Sequence, residues 1–306
     1  MKVLIAGASG LIGRATAAVL RDDGHEVKRL VRRDPASPEE VSWNPAAGEL
    51  PLEACRSAEA IVNLCGADLA AGRWTARRRD EIRASRIDAT RTLAKAFAGT
   101  ISDGPRPRVL VNASAIGFYG DRGNLEVDES SGPGTGFLAE LCRDWESAAM
   151  AVRDLGARVV CVRFGVVLSR EGGILPRIVP FYRAGLGCPM GTGREWMSWI
   201  ALEDAVGVIR FAIGEDWLSG PVNAVSPMAV MNSGFARALG PIFGRQLSAP
   251  IPPFIVRLAI GPMAKETVLS STHVLPTKLL SSGYPFRYRN LQDALYQALA
   301  LEKVEA

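Results

Sequence analysis

The sequence predicts a doubly wound α/β fold, a parallel sheet with helices on both faces. Three observations predict it. Short aliphatic runs recur at 2–6, 60–65, 109–113 and 159–163, and long helical stretches separate them. A glycine pattern, Gly7-Ala8-Ser9-Gly10-Leu11-Ile12-Gly13, stands directly after the first run. Strands that are apolar throughout, alternating with helices, imply a sheet covered on both sides.

Each element has its own signal. Lys2 to Ala6 is aliphatic and β-branched, and residues 11–21 read as a helix ending near Gly24. His25 to Val31 reads as a second strand and Ala60 to Cys65 as a buried one. A long helix is expected from about Ala76 to Ala98, then a strand at Val109 to Ala113. A helix over about 138–154 leads into the strand Val159 to Arg163. Beyond 168 the glycines and prolines between Gly172 and Gly193 forbid one long helix. Helical spacing returns at 203–213 and 233–244, and Ala249-Pro250-Ile251-Pro252-Pro253 opens a last segment of about fifty residues. The expected organisation is a sheet domain over 1–225, with lobe insertions from about 169, and a small C-terminal domain over 249–297. The C-terminal third is expected to form a smaller substrate lobe closing over the sheet.

Composition narrows the function. With 48% hydrophobic and 22% charged residues, the 306-residue chain is globular rather than disordered. Lysine and arginine total 36 against 32 acidic residues, a net charge of +4, which calls for no nucleic-acid partner. Asp80, Glu81 and Asp88 interrupt the arginine run of the 76–98 helix, and no aromatic platform accompanies it. No run of 18 apolar residues is present, so a membrane span is not expected. The first residues are too short a run for a signal peptide. Five cysteines without a C-x-x-C pair suggest neither a disulfide framework nor zinc, and a cytoplasmic setting is the simplest reading. Only His25 and His273 are available, so histidine-rich metal chemistry is not expected either.

The glycine loop carries the first functional expectation. Its spacing is G-x-x-G-x-x-G, between a strand and a helix, where backbone amides at the helix N-terminus attract a pyrophosphate. Glycine also serves tight strand–helix turns for steric reasons alone, and context favours the cofactor. The tip of the second strand reads Val31-Arg32-Arg33-Asp34. Arg32 and Arg33 suit the 2′-phosphate of NADP(H), whereas Asp34 would serve the 2′-hydroxyl of NAD(H). A hydrogen bond to a charged group contributes roughly 1.5–3 kcal/mol, about a ten- to hundredfold preference for NADP(H).

With these motifs in place, the chain resembles the short-chain dehydrogenase/reductase superfamily in its extended, epimerase-like branch. The resemblance rests on Ala60 to Gly66, on Arg73-Trp74 with Glu81, Ser85-Arg86 and Thr90, and on Asn112 to Gly120. It continues through Arg163 to Leu168, Trp199-Ile200 with Asp204, and Pro276 to Phe286. This set resembles the epimerase family of the SDR39U1 type, which includes bacterial proteins described as nucleoside-diphosphate-sugar epimerases. The resemblance implies a Rossmann-like fold and nucleotide-binding contacts from Gly7, Ser9, Gly10, Leu11, Ile12, Gly13, Arg32 and Arg33. Further contacts are implied for Leu64, Cys65, Gly66, Glu81, Arg86, Ala113, Gly165 and Val166. Glu81 is expected to orient Arg86 toward a phosphate, although a surface ion pair is the plainer reading.

The catalytic pattern departs from the superfamily. Ser114 occupies the serine position, but Phe137 and Leu141 stand where tyrosine and lysine are expected. Phenylalanine has no proton to exchange, and losing general acid/base catalysis costs a factor of about 10²–10⁴. Tyr119, just past Ser114, and Glu140, on the following helix, are the expected substitutes, each with packing or solvation as the alternative. Tyr182, Trp196 and Trp199 suit core packing better than a pocket wall. Ala201 stands where the subgroup often carries a histidine. Two functions follow: an NADP(H)-dependent oxidoreductase or epimerase on an unidentified sugar-like or carbonyl substrate, and a non-catalytic NADP(H)-binding sensor or scaffold. A homodimer rests on superfamily analogy alone.

Overall fold

The structure, a computed structural model, describes residues 1–100 and 107–300. The chain runs β1 (Lys2–Ala6), α1 (Leu11–Asp22), β2 (Glu26–Val31), β3 (Glu40–Ser42), α2 (Leu52–Arg56), β4 (Ala60–Asn63), α3 (Ala76–Ala98) and β5 (Val109–Ala115). It continues through β6 (Glu126–Val127), α4 (Phe137–Met150), β7 (Arg158–Phe164), β8 (Val166–Ser169), β9 (Gly172–Gly173) and α5 (Leu175–Arg183). Next come β10 (Trp196–Met197), β11 (Trp199–Ala201), α6 (Leu202–Gly214), β12 (Gly220–Ala224), β13 (Val230–Met231) and α7 (Asn232–Ile242). The last elements are α8 (Pro253–Ile260), α9 (Met263–Glu266), β14 (His273–Val274), α10 (Thr277–Ser281) and α11 (Leu291–Leu299).

Seven strands form the main sheet in the order β12-β7-β5-β4-β1-β2-β3. β1 pairs in parallel with β2 and β4, and β4 with β5, giving the doubly wound arrangement read from the sequence. In β1, Val3, Leu4, Ile5 and Ala6 are all buried, as a strand covered on both faces requires. β3 and β12 extend the sheet beyond the strands the sequence announced. β3 has three residues and β12 begins Gly220-Pro221, so neither carries a β-branched or alternating signature.

The chain divides into two compact units that interleave along the sequence. The first comprises 1–114, 141–162 and 206–222. Its core packs Leu4, Ile61, Leu110 and Cys161 of the sheet against Leu93 and Phe97 of α3 and Ala149 of α4. The second comprises 115–140, 163–205 and 223–306. There Leu168 of β8 and Trp199 of β11 pack with Phe235 and Leu239 of α7 and Leu295 of α11. α5, nine residues long, accepts Pro176 in its first turn and ends soon after Pro180, within the stretch that excluded a long helix. Among the described residues no helix is long and apolar enough to cross a membrane.

Candidate functional site

The site begins where β1 ends. Gly7 has φ +79°, and a Cβ there would lie 2.6 Å from the Leu64 carbonyl carbon, so strand end and β4 loop touch through backbone. A Cβ on Gly13 would lie 2.2 Å from the Gly7 carbonyl oxygen. The first turn of α1 therefore presses directly on the loop that precedes it. Gly10 is the N-cap and provides no side-chain cap, and the first turn holds no acidic residue. The amides at this helix start are left for an anion. Arg14 Nη1 donates to the Ser9 carbonyl oxygen at 2.9 Å and braces the loop from the helix side.

These elements open into a cleft of about 1950 Å³ in the first unit, at the carboxyl ends of β1, β2 and β4. That exceeds the roughly 300–1,000 Å³ of a usual ligand pocket, leaving room for an extended ligand. Gly7, Ser9, Gly10, Arg32, Arg33, Leu64, Cys65, Gly66 and Glu81 line it, as do Arg14 and Glu40, which the sequence reading missed. Leu11, Ile12 and Gly13 form the first turn of α1, directly after Gly10. Ala113 is buried within β5.

The two arginines at the β2 tip have different surroundings. Arg33 donates both terminal nitrogens to Glu40, at 2.8 Å each, and Nη1 also to the Asp34 carbonyl. Glu40 accepts the Ala36 amide as well and lies 3.2 Å from Arg29. The Arg33 hydrogen bonds and the Ala36 amide hold the Glu40 carboxyl below its usual range. Arg32 is exposed and has no hydrogen-bond partner among the described residues.

Glu81 does not reach Arg86. It pairs with Arg78 at 2.7 Å, three residues before it, because five residues along a helix turn a side chain away from its partner. Arg86 instead donates to the carbonyls of Ile82 and Ala67, and its guanidinium lies against Gly66, where a Cβ would sit 2.9 Å from Cζ. The arginine thus secures the β4 loop from beneath. Asn63 Nδ2 completes that support by donating to Thr90 Oγ1 at 2.8 Å and Asn112 Oδ1 at 2.7 Å. Burial pushes the Cys65 thiol up to about 12, keeping it protonated beside the cleft. Gly165 and Val166 belong to the second unit. There a Cβ on Gly165 would meet the Ser198 carbonyl oxygen at 2.7 Å, and Val166 pairs with Trp199.

The expected proton-transfer residues fare differently. Tyr119 does not point into an open cleft: its ring is fully buried in the second unit. Its hydroxyl donates to Asn223 Oδ1 at 2.7 Å and accepts from Arg163 Nη1 at 2.9 Å. Burial pushes the phenol up to about 12. Glu140 is exposed on α4, which corrects the expectation of a desolvated carboxylate. Tyr182 and Trp199 are core residues, and Trp196 stacks on His273 at 4.2 Å. Ser114, only 3% exposed, donates its hydroxyl to Glu146 Oε1 at 2.6 Å. Glu146 was missed although the sequence carried a signal: it stands four residues after Cys142 and three before Ala149, on the apolar stripe of α4.

A parallel sheet whose first strand feeds a glycine loop and an uncapped helix start defines a dinucleotide-binding class of protein. The model of the NAD dependent epimerase/dehydratase family matches residues 3–223, and the chain belongs to that family. A domain of unknown function, DUF1731, matches residues 251–298. Epimerase family protein Mb2239 of Mycobacterium bovis is 44% identical over 293 residues, 96% of each chain. The human epimerase family protein SDR39U1, solved with NADPH, superposes with a TM-score of 0.88 at 32% identity, covering 98% of this chain and all of that one. A nucleoside-diphosphate sugar epimerase from Corynebacterium glutamicum gives 0.80 at 34% identity, over 98% of this chain and 58% of that one.

Proposed function

We propose that the protein is an NADP(H)-dependent oxidoreductase of the epimerase type, acting on the carbinol or carbonyl carbon of a sugar-like substrate. The observation that carries this reading is Arg32, exposed at the rim of the cleft with no hydrogen-bond partner among the described residues. A cation so placed at the tip of the second strand suits a 2′-phosphate. The residues present fit the rest of such a cofactor. The amides of Leu11 to Gly13, which open α1 without a side-chain cap, suit a pyrophosphate, and Leu64 and Cys65 offer an apolar wall. The NADPH in the human SDR39U1 structure supports the choice. When bound, a nicotinamide supplies or accepts hydride. The chain's own task is to hold the substrate oxygen and handle its proton, and Ser114 is the polar group available at the end of β5.

The test is a calorimetric titration of cofactor-free protein with NADPH and, separately, with NADH. Binding of NADPH about ten- to hundredfold tighter than NADH is expected. Equal binding overturns the 2′-phosphate reading, and binding of neither makes the loop purely structural.

A second reading has its own support. Phe137 and Leu141 replace the superfamily's tyrosine and lysine, and Tyr119 is buried with its hydroxyl engaged. A non-catalytic NADP(H) sensor, read by a partner, needs no proton-transfer group. Sustained NADPH oxidation coupled to reduction of a carbonyl compound excludes it.

A further inference from the structure

We infer that Glu146 is the proton acceptor behind Ser114, a positioning residue that takes over the proton handling for which Phe137 and Leu141 are unsuited. The inference rests on the redox reading above and specifies its proton path.

Position comes first. Asn63 and Asn112 are paired across β4 and β5. Leu64, Cys65 and Gly66, which follow β4, wall the cleft, and Ala113 and Ser114 continue β5 one and two residues beyond the Asn63–Asn112 pair. Ser114 therefore stands next to the strand end that borders the candidate cofactor site. Glu146 reaches it from α4, and both side chains are buried.

The helix is held so that this meeting is fixed. Trp145, the preceding residue, donates its indole N–H to Thr90 Oγ1 at 2.9 Å. The Arg86 guanidinium lies 5.2 Å from the centre of its ring. Thr90 also accepts from Asn63, so α3, α4 and the end of β4 share one buried polar junction. Such a junction sets the rotation of α4 and turns Glu146 toward β5. A buried carboxylate is costly without hydrogen bonds, and a single surface-type ion pair would not justify this investment of polar groups.

The direction of the hydrogen bond defines the chemistry. A serine hydroxyl has one proton and two lone pairs. With its proton on Glu146, Ser114 Oγ presents lone pairs and accepts a proton from a substrate hydroxyl. In oxidation the carbinol carbon would lose its hydrogen with the bonding electron pair, as hydride, and a nicotinamide held in the cleft would accept it. The substrate O–H proton passes to Ser114 Oγ as the Ser114 proton passes to Glu146 Oε1. The carbinol becomes a carbonyl and the Glu146 carboxylate becomes a carboxylic acid. Reduction runs the same transfers backwards.

The decisive variant is Glu146→Gln, which keeps the volume and an oxygen that accepts from Ser114 but cannot take up a proton. Glu146→Asp and Ser114→Ala accompany it, with thermal unfolding as the check on folding. In cofactor-free protein at neutral pH, the infrared difference between wild type and E146Q should contain a carboxylate band that shifts when Ser114→Ala removes its donor. A protonated carboxyl band in its place overturns the inference without reference to catalysis. In holoprotein, NADPH affinity should stay within about twofold in all variants. With 9,10-phenanthrenequinone and a panel of simple aldoses and ketoses as probes, kcat of E146Q should fall by about 10²–10⁴ at unchanged KM, with partial recovery in E146D. Wild-type kcat in E146Q overturns the role of Glu146 and leaves the redox reading standing. A wild type that binds NADPH yet reduces no probe overturns the redox reading, and the role of Glu146 with it.

Discussion

Arg33 grips Glu40 through both terminal nitrogens at 2.8 Å, and that grip separates two arginines that look equivalent in the sequence. A bidentate fork already engaged by a carboxylate has little left for a second anion. Arg32, its neighbour, makes no hydrogen bond among the described residues. Replacing Arg32 with alanine should weaken NADPH binding about ten- to hundredfold and leave NADH binding nearly unchanged. Arg33→Ala should have a smaller effect on the NADPH-to-NADH ratio. Paired calorimetric titrations separate the two, and equal effects would mean that both arginines read the phosphate.

The same pair predicts an acid response. The folded state holds the Glu40 carboxyl below its usual value. A depressed carboxylate stabilises the fold at pH values above its unfolded pKa, and that contribution is lost as pH falls through the folded one. Melting temperature should therefore decline on acidification through and below the ordinary carboxylate range. Glu40→Gln should be less stable near neutrality and should show a flatter acid limb.

At the opposite end of the scale, burial holds the Tyr119 phenol at about 12 against an ordinary value of 10.0. A raised acid favours the folded state below its unfolded pKa, so this stabilisation disappears as pH rises from about 10 to about 12. Tyr119→Phe should remove that part of the alkaline loss. At neutral pH it should cost about 1–3 kcal/mol in denaturant unfolding, because Asn223 Oδ1 and Arg163 lose a buried partner. NADPH affinity should not move; a large loss would mean that Tyr119 supports the cofactor site.

Gly13→Ala tests the close contact of α1 with the loop. The added methyl would sit 2.2 Å from the Gly7 carbonyl oxygen, which cannot rotate away. Displacing the helix should cost about 1–3 kcal/mol or more and abolish measurable NADPH binding. Alanine at Gly24, where a Cβ meets nothing within 4 Å but φ is +82°, provides the control for backbone strain without steric contact. Its binding should persist.

Thr90 offers a test of the buried junction. Thr90→Val removes the acceptor for both Asn63 Nδ2 and Trp145 Nε1 while keeping the shape of the side chain. The expected loss is about 1–3 kcal/mol for each donor stranded, measured by chemical unfolding. A neutral outcome would mean that these donors find other partners.

Legibility from sequence followed the range of the interaction. The strand runs at 2–6 and 109–113 and the helix at 76–98 were readable because period and apolarity are local. β3 and β12 were not, since three residues or a Gly-Pro start leave no pattern to read. The Glu81–Arg86 expectation failed on helix geometry that spacing alone could have supplied: i,i+3 neighbours pair and i,i+5 do not.

The sequence by itself determined the doubly wound sheet, the glycine loop after the first strand and the pair of arginines at the second. Each is a statement about neighbours along the chain. Tertiary structure alone decided that Arg32 has no hydrogen-bond partner among the described residues while Arg33 is engaged, that Tyr119 is buried against Asn223, and that Ser114 meets Glu146. Those partners are 104 and 32 residues apart, respectively, for Tyr119 and Ser114. A side chain's proton traffic depends on which groups packing brings within 3 Å, and no local period encodes that.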